Sequence, residues 1–425
     1  MLSSVRRLAA AAPRRRLPLR SGARAMSIRH SYEVGSAPGV SFAGEPPDSR
    51  EFVPQLEFLQ YPDVPCFRVM ETDGSLVDAD AEPDVSPELA LRMYTSMVEL
   101  SVMDALLYDA QRQGRLTFYL QSVGEEAACI GSAAALDDDD EVFAQYREQG
   151  VLLYRGFTFE QFCHQCLGTR RDPGKGRQMP IHYGSKELGF HTISSPLATQ
   201  LPQAAGVAYA RKLEGRGGAV ACYFGDGAAS EGDFHAGLNF AATLQCPVVF
   251  FCRNNGYAIS TPVSEQMVGD GIVSRGPGYG IPAVRVDGND VLAVYSATKK
   301  AREMAVGSSQ PVLVEAMSYR VSHHSTSDDS TAYRSQDEMD TWKQDDNPIQ
   351  RMRLFLEARG QWDSEREETL RAETRTRVLA ALKEAEAEQP NGVNELFDDV
   401  YDEVPLHLQR QQAALAKHME RNDIS

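Results

Sequence analysis

Four short apolar runs alternate with helical stretches in the second half of the chain, and this alternation restricts the possible fold more than any other feature. Each run contains valine, and each is followed by Gly, Asn, Asp or other polar residues. Short strands that alternate with helices form a parallel, doubly wound sheet, so we predict an α/β fold. The predicted strands are 219–224, 248–252, 283–286 and 312–316, and the predicted helices among them are 233–244 and 291–306.

Two helices have clear start and stop signals. Ser86 suits the N-cap, Pro87 the first helical position, and Gly114 the stop of a helix with one apolar stripe. For the helix at 291–306 we expect Asp290 to be the cap and Gly307 the end.

Composition suggests how the rest of the chain is organised. Residues 41–85 are rich in Pro, Gly and acidic residues, which indicates an extended arm with short strands at most. We expect the α/β domain at 86–360 and a helical region at 361–425. The helical region is predicted to contain a charged helix at 364–389, a break at Pro390-Asn391-Gly392 and an amphipathic helix at 405–421.

The N-terminus is strongly basic in an otherwise acidic chain. Residues 1–30 contain eight arginines and no acidic residue. We therefore expect a mitochondrial transit peptide at 1–40 and a mature protein in the mitochondrial matrix; the alternative is a disordered basic tail. Removing these eight charges would change the formal net charge from -17 to -25, which argues against nucleic acid as a partner. The chain has no apolar run of about 18 residues, so we expect no membrane span.

The seven cysteines are scattered, which is not the pattern of a secreted disulfide framework. Cys163 and Cys166 form a CxxC motif that has no second ligand pair. We favour structural burial in an amphipathic stretch, and zinc binding or redox chemistry is the alternative.

Polar residues follow two predicted strands of one β-α-β unit. Gly-Asp-Gly occupies 225–227, and Asn-Asn occupies 254–255 after 26 intervening residues. The carboxyl ends of such strands lie at the same edge of a sheet. The Asp226 carboxylate and the Asn255 amide oxygen suit Mg²⁺, while the glycines and the small residues after them leave backbone amides accessible to a phosphate. The sequence thus predicts a metal and diphosphate site, and the alternative is two ordinary loops.

This spacing resembles the signature of thiamine-diphosphate enzymes. Longer segments resemble the α subunits of the branched-chain 2-oxo-acid dehydrogenases, and the resemblance covers about residues 85–405. It implies the thiamine-diphosphate-binding fold, and it implies oxidative decarboxylation of branched-chain 2-oxo acids with acyl transfer to a lipoyl group. The segments are GKGRQMPIHYG (174–184), TISSPLATQ (192–200), GDGAASEG (225–232), CRNNGYAIST (252–261), RVDGND (285–290) and HHSTSDDSTAYRS (323–335).

The resemblance also implies a role for each matching residue. Contacts to the cofactor are implied for Tyr146, Arg147, Ser195, Gly227, Ala228, Arg253 and His324. Implied Mg²⁺ ligands are the side chains of Asp226 and Asn255 and the carbonyl of Tyr257; implied K⁺ ligands are Ser194, Pro196, Thr199 and Gln200. Family members often carry Glu at the position of Asp226, but the shorter carboxylate is still a hard oxygen ligand. Taken alone, Ser194-Ser195-Pro196 could be a helix start and His324 a solvated loop residue.

His324 is the residue that the resemblance assigns to catalysis and acyl transfer. A histidine whose pKa lies near neutrality can move protons in these steps. The family also needs a glutamate at the aminopyrimidine ring of the cofactor, and this chain has no convincing match. Glu125 and Glu126 are candidates by composition, but they lie at a predicted helix start and can act as caps there.

In the family that glutamate belongs to a β subunit, so we expect an α₂β₂ heterotetramer with a shared active site. Further implied partners are a lipoyl-bearing transacylase core and a regulatory kinase and phosphatase. Ser325 and Ser335 match the family's phosphorylation sites. The alternative is a Ser- and Asp-rich loop without a regulatory role.

Two other functions remain open from the sequence. The α subunit of pyruvate dehydrogenase shares the fold and the metal motif, although SEGDFHAG at 230–237 favours the branched-chain enzyme. A non-catalytic regulatory relative is the second alternative, and intact Asp226, Arg253, Asn255 and His324 argue against it.

Overall fold

The computed structural model describes Leu56, Phe58 and residues 63–81 and 85–423. The chain divides into two units, Met1–Gln60 and Tyr61–Ser425, and the strands and helices of the described residues all belong to the second unit. The predicted transit peptide at 1–40 lies outside the described residues, as does much of the predicted arm at 41–85. The predicted boundary between 86–360 and 361–425 falls within the second unit.

Strands and helices alternate through most of this unit. The strands are β1 (Cys66–Phe67), β2 (Glu141–Phe143), β3 (Val220–Gly225), β4 (Val248–Asn254), β5 (Tyr257–Ala258), β6 (Thr261–Pro262), β7 (Ala283–Asp287) and β8 (Val312–Met317). The helices are α1 (Pro87–Arg112), α2 (Glu126–Ala134), α3 (Gln149–Tyr154), α4 (Phe159–Leu167), α5 (Gln200–Glu214), α6 (Gly232–Thr243), α7 (Val263–Gln266), α8 (Val291–Ser308), α9 (Gln336–Asp345), α10 (Pro348–Ala358), α11 (Ser364–Ala387) and α12 (Leu406–Asn422).

A six-stranded parallel sheet organises the fold, with strand order β1-β7-β8-β4-β3-β2. The four predicted strands are its four inner strands, which confirms the α/β prediction. Every residue of β4 is buried, as expected for a parallel strand that helices cover on both faces. Because Gly225 at the end of β3 pairs with Arg253 near the end of β4, the loops after these two strands lie side by side.

Alternate residues of the inner strands enter two separate cores. Tyr223 and Phe251 lie in the core formed with α1, α2, α8, α10 and α11, whereas Phe224 and Phe250 lie in the core formed with α5 and α6. This is the two-residue period of a strand. Each such fully buried aromatic side chain contributes roughly 1.5–3 kcal/mol by removal of apolar surface from water. These cores make the sheet a rigid platform for the loops at its carboxyl edge.

The predicted helix signals are confirmed with one correction. The Ser86 hydroxyl accepts a hydrogen bond from Leu89 N at 3.2 Å, Pro87 begins α1, and Gly114 has φ +76° just after the helix end. Asp290 caps α8 through bonds from two backbone amides. The prediction that Gly307 ends this helix was wrong, because the helix continues to Ser308 and Ser309 takes the left-handed cap conformation.

The CxxC motif lies on α4, where Cys163 and Cys166 are both buried. Burial raises the pKa of Cys166 to about 11, so its thiol stays protonated and unreactive at physiological pH. Within the described ranges, no group of three or more His, Cys, Asp and Glu side chains is arranged to hold a metal ion. These findings support structural burial. None of the helices in the described part of the chain combines the length and the apolarity that crossing a membrane requires.

Candidate active site

A cavity of about 630 Å³ opens at the carboxyl edge of the sheet, between the loops that follow β2, β3, β4 and β8. The structure brings all of the predicted cofactor and Mg²⁺ residues to this one cavity. They are Tyr146, Arg147, Ser195, Asp226, Gly227, Ala228, Arg253, Asn255, Tyr257 and His324. Residues as far apart in sequence as Tyr146 and His324 thus line the same cavity.

Asp226 and Asn255 are the two predicted side-chain metal ligands, and both are buried. Asp226 Oδ2 accepts a hydrogen bond from Gln266 Nε2 at 2.7 Å. Burial raises the pKa of this carboxyl group, and the bond from Gln266 opposes that shift. A divalent cation would stabilise the charged form that burial disfavours.

The orientation of the Asn255 amide is fixed by its neighbours. Its Nδ2 donates to Glu125 Oε1 at 3.0 Å, and its Oδ1 accepts from Tyr257 N at 3.3 Å. Gly256 lies between them with φ +88°, a conformation that favours glycine. One carboxylate, one amide oxygen and one backbone carbonyl make a small set of hard ligands. Such a set fits Mg²⁺ when phosphate oxygens complete the octahedron.

Gly227 keeps the loop after β3 close to β5. A Cβ atom at this position would lie 2.8 Å from the Cβ of Ala258. The 3₁₀ turn Ala228–Ser230 follows directly and leads into α6. The absence of a side chain at Gly227 therefore allows this loop to pack closely against β5, and the approach of a phosphate to its backbone stays a prediction.

Arg253 is a buried guanidinium held between two buried carboxylates. Its Nε donates to Glu148 Oε1 at 2.6 Å, and its Nη1 donates to Glu125 Oε2. Glu148 also accepts from the backbone amides of Gln145 and Arg147, so one side chain joins the loop after β2 to the end of β4. Arg253 is therefore rigidly placed, which suits a planar donor to phosphate.

Capping of a helix was one of the roles open to Glu125 from the sequence, and its side chain does not perform it. The residue stands at the N-cap of α2, but its side chain makes no capping bond. It binds Arg253 and Asn255 instead. The carboxylate of Glu126 does accept a bond from Gly124 N at 2.9 Å, and burial raises its pKa to about 8.

Arg320 is a further cation at the cavity, and sequence reasoning missed it. It lines the cavity, is only 1% exposed, and its Nε has no hydrogen-bond partner among the described residues. Its Nη2 donates to the carbonyl of Ile259 at 2.6 Å and to the hydroxyl of Tyr333 at 2.9 Å. Burial lowers the pKa of Arg320, and the nearby Arg147 lowers it further. A buried cation in this state favours an anionic ligand, and its position four residues before His324 was the available signal.

His324 faces two of these guanidinium groups. Its Nδ1 lies 3.1 Å from Arg147 Nη2 and 3.4 Å from Arg320 Nη1. Burial, followed by Arg147 and Arg320, lowers the pKa of His324 to about 3. The expected pKa near neutrality is therefore wrong for the protein alone. The ring is neutral at physiological pH, and because guanidinium groups only donate, the proton is assigned to Nε2.

The loop 323–335 is held by its own side chains. Asp328 Oδ2 accepts from His324 N at 2.8 Å and from the Tyr333 hydroxyl at 2.6 Å. Arg334 donates to the backbone carbonyls of Arg320 and Ser322. Ser325 is buried within this network, whereas Ser335 is exposed at the N-cap of α9.

The residues predicted to bind K⁺ lie beside the cavity at the start of α5. Thr199 Oγ1 donates to the carbonyl of Pro196 at 3.2 Å, and Gln200 Nε2 donates to the carbonyl of Tyr223 at 3.0 Å. Ser194 and Pro196 are exposed. The hydroxyl and carbonyl oxygens needed for a monovalent cation are present, and their role remains a prediction.

Known proteins match this chain over most of its length. Residues 94–394 match the family described as "Dehydrogenase E1 component". The chain is 56% identical over 378 residues to "2-oxoisovalerate dehydrogenase subunit alpha, mitochondrial" of Homo sapiens, which covers 88% of this chain and 85% of that protein. The Bos taurus protein of the same name is 53% identical over 406 residues, or 94% and 89% of the two chains. "2-oxoisovalerate dehydrogenase subunit alpha 1, mitochondrial" of Arabidopsis thaliana is 56% identical over 366 residues, or 86% and 77%. The chain therefore belongs to the dehydrogenase E1 component family.

Proposed function

We propose that this chain is the α subunit of a thiamine-diphosphate-dependent dehydrogenase that decarboxylates branched-chain 2-oxo acids and transfers the acyl group to a lipoyl group. The observation that carries the proposal is the convergence of Asp226, Asn255 and the Tyr257 carbonyl with buried guanidinium groups around one cavity. Oxygen ligands for Mg²⁺ beside cations for phosphate are what a diphosphate cofactor needs. Relatives named for 2-oxoisovalerate favour this substrate class over pyruvate and over a non-catalytic role.

Separate groups of residues in this chain would bind the two metal ions and the diphosphate of the cofactor. Asp226, Asn255 and the Tyr257 carbonyl would bind Mg²⁺, and Ser194, Pro196, Thr199 and Gln200 would bind K⁺. The diphosphate would be held by Tyr146, Arg147, Ser195, Gly227, Ala228 and Arg253, with Arg320 as a further cation. When bound, thiamine diphosphate supplies the electron sink for loss of CO₂ from the 2-oxo acid.

His324 would take part in proton transfer at the end of the cavity where the substrate binds. Arg147 and Arg320 hold its Nδ1 side, so Nε2 is the atom that faces the substrate. The N–H group of the neutral ring would donate a hydrogen bond to a substrate oxygen, and transfer of a proton would start from the ring that carries protons on both nitrogens. The negative charge of a bound diphosphate would offset these two guanidinium groups. The pKa of His324 would then rise from about 3 towards the range in which histidine exchanges protons at physiological pH.

A β subunit would complete the site. Of the described residues that line the cavity, the carboxylates are Asp226 and Glu231, while Glu125 and Glu126 do not line it. The α12 helix has no buried residue, and apolar side chains near it are exposed at Leu396, Val400, Tyr401 and Leu406. Exposed apolar side chains of this kind are available for contact with a protein partner. We place the missing glutamate on that partner, in an α₂β₂ heterotetramer that acylates a lipoyl-bearing transacylase core.

The substrate class is tested with the reconstituted heterotetramer. Decarboxylation of 2-oxoisovalerate and of pyruvate is measured with thiamine diphosphate and Mg²⁺ present, and we expect a clear preference for the branched acid in kcat/KM. A preference for pyruvate would overturn the substrate assignment. If the heterotetramer binds no cofactor in a calorimeter, the non-catalytic alternative is correct.

The isolated chain should show no decarboxylase activity, because we assign the glutamate at the aminopyrimidine ring of the cofactor to the β subunit. The purified α chain is assayed with cofactor, Mg²⁺ and 2-oxoisovalerate, and addition of the β subunit serves as the positive control. Turnover by the α chain alone, at a rate above that of cofactor in buffer, would contradict the shared active site.

We place the mature protein in the mitochondrial matrix. The eight arginines before residue 30 and the mitochondrial names of the relatives support this location. We expect cleavage after import, with a new N-terminus between about residues 20 and 45. Mass spectrometry of the protein from isolated mitochondria measures this, and mature protein that still begins at Met1 would rule out cleavage.

A further inference from the structure

A strained turn lies behind the cavity wall that carries Ser195. Ile181 is fully buried and has φ +69°, although a β-branched side chain rarely adopts this left-handed conformation. Such conformations persist only where neighbouring contacts hold them, and they cluster at functional sites. The strain therefore indicates that this turn holds a neighbouring residue in a defined position.

The side chain of Gln165, from the CxxC helix α4, holds the turn from both sides. Its Oε1 accepts from Ile181 N at 3.0 Å, and its Nε2 donates to the carbonyl of Met179 at 2.9 Å. Next to it, the Sγ atom of Cys166 lies 3.4 Å from the hydroxyl of Tyr183. The Cys-His-Gln-Cys motif thus acts as a brace for residues 179–183.

The residue that this turn presents is His182, which is 6% exposed. Its Nδ1 lies 3.1 Å from the carbonyl of Pro180, and because a carbonyl only accepts, Nδ1 carries a proton. Its Nε2 forms a hydrogen bond with the hydroxyl of Ser195. Among the described residues, this is the side-chain hydrogen bond that anchors Ser195, whose neighbours Ser194, Pro196 and Leu197 are exposed.

We propose that His182 is a positioning residue that holds the Ser195 hydroxyl at the place where it meets the cofactor's phosphate, with Gln165 fixing the turn. The inference rests on the proposed function, since it requires a phosphate at Ser195. A serine on an exposed loop would lose side-chain conformational entropy when it binds the phosphate. A hydrogen bond to a buried histidine that exists before binding removes part of this entropic cost. The Ser195 hydroxyl carries one proton, so a hydroxyl that donates to phosphate keeps its contact with His182 when Nε2 donates a proton of its own to the serine oxygen.

The test is a double-mutant cycle in the reconstituted heterotetramer, read out as the Kd of thiamine diphosphate at saturating Mg²⁺. We expect His182→Ala and Ser195→Ala each to weaken binding about tenfold, as loss of one hydrogen bond to a charged group does. The double variant should also lose about tenfold rather than about a hundredfold, because His182 acts through Ser195. The change should fall on the cofactor's KM rather than on kcat, and His182→Gln, which can still bond to Ser195, should recover most of the affinity.

His191 provides a matched control. Neither histidine lines the cofactor cavity, but His182 bonds to Ser195, which does, whereas His191 stacks on Phe143 with ring centroids 3.9 Å apart and bonds to Glu141, which does not. His191→Ala should leave the Kd unchanged. Melting temperatures identify variants that fail to fold. If His182→Ala is such a variant, the cofactor Kd values of Ser195→Ala and His182→Gln still test whether His182 positions Ser195.

Three outcomes would overturn the inference. They are an unchanged Kd in His182→Ala, additive losses in the double variant, and no recovery in a folded His182→Gln. In each of these cases normal binding by the wild type leaves the proposed function standing. If the wild-type heterotetramer itself binds no thiamine diphosphate, the proposed function and this inference fail together.

Discussion

Replacing Asp226 with alanine should abolish Mg²⁺-dependent binding of thiamine diphosphate and lower turnover by roughly a thousandfold, or about 4 kcal/mol. Asp226 is the charged member of the proposed ligand set, because Asn255 and the Tyr257 carbonyl are neutral. Without its carboxylate, the diphosphate charge would no longer be bridged to the protein by the metal. Calorimetry of the reconstituted heterotetramer with cofactor and Mg²⁺ measures the loss.

The same variant should remain folded. Among the residues that the structure describes, the Asp226 side chain bonds to Gln266 and forms no salt bridge, and its burial already disfavours the charged form. Removing it therefore leaves no buried cation unpaired. The matched variant Asp226→Glu, which restores the residue often found in the family, should bind the cofactor, and Gln266→Ala tests the neighbouring contact alone. Wild-type affinity in a folded Asp226→Ala would disprove the metal site.

The inner sheet and the metal ligands could be predicted because they depend on local pattern. Four buried parallel strands read as continuous apolar runs, and the residues just after them must lie at one edge of the sheet. Asp226 and Asn255 follow from that placement. The edge strands β1 and β2 could not be found in this way, since two or three residues are too few to show a period.

The electrostatics of the site depends on contacts between distant parts of the chain. Glu125 reaches Arg253 across 128 positions, and Arg147 reaches His324 across 177. A local sequence pattern cannot predict that a glutamate at a helix start will pair with an arginine at the end of a strand. For the same reason the low pKa of His324 could not be foreseen, because burial and the distant Arg147 lower it together with the nearby Arg320.

Phosphorylation of Ser325 should inactivate the enzyme, and the geometry of the loop 323–335 gives the reason. Ser325 is 9% exposed, and its hydroxyl accepts a bond from Ser327 N at 3.2 Å. A phosphate at this position adds a charge of about -1.5 to -2 and does not fit within the packed loop. It would repel Asp328, whose carboxylate holds His324 and Tyr333 in place, and it would repel the diphosphate of the cofactor.

Ser335 offers a contrast within the same loop. It is exposed at the N-cap of α9, and its hydroxyl accepts from Glu338 N at 3.1 Å. A phosphate at a helix N-terminus interacts favourably with the helix dipole, so modification here should leave the loop ordered. We therefore propose that a regulatory kinase inhibits through Ser325 and a phosphatase restores activity, while phosphorylation of Ser335 changes activity little.

Stoichiometric phosphorylation of the reconstituted heterotetramer should lower its activity by roughly a hundredfold, since a released loop no longer holds His324 or receives the lipoyl group. Ser325→Ala should keep its activity under the same treatment, and Ser335→Ala should be inhibited like the wild type. Limited proteolysis should show cleavage within 323–335 only when Ser325 carries phosphate, because the bonds from Asp328 and Arg334 otherwise keep that backbone in place. Full activity of wild-type enzyme with Ser325 phosphorylated, or equal inhibition of Ser325→Ala, would show that the charge at this serine does not control the loop.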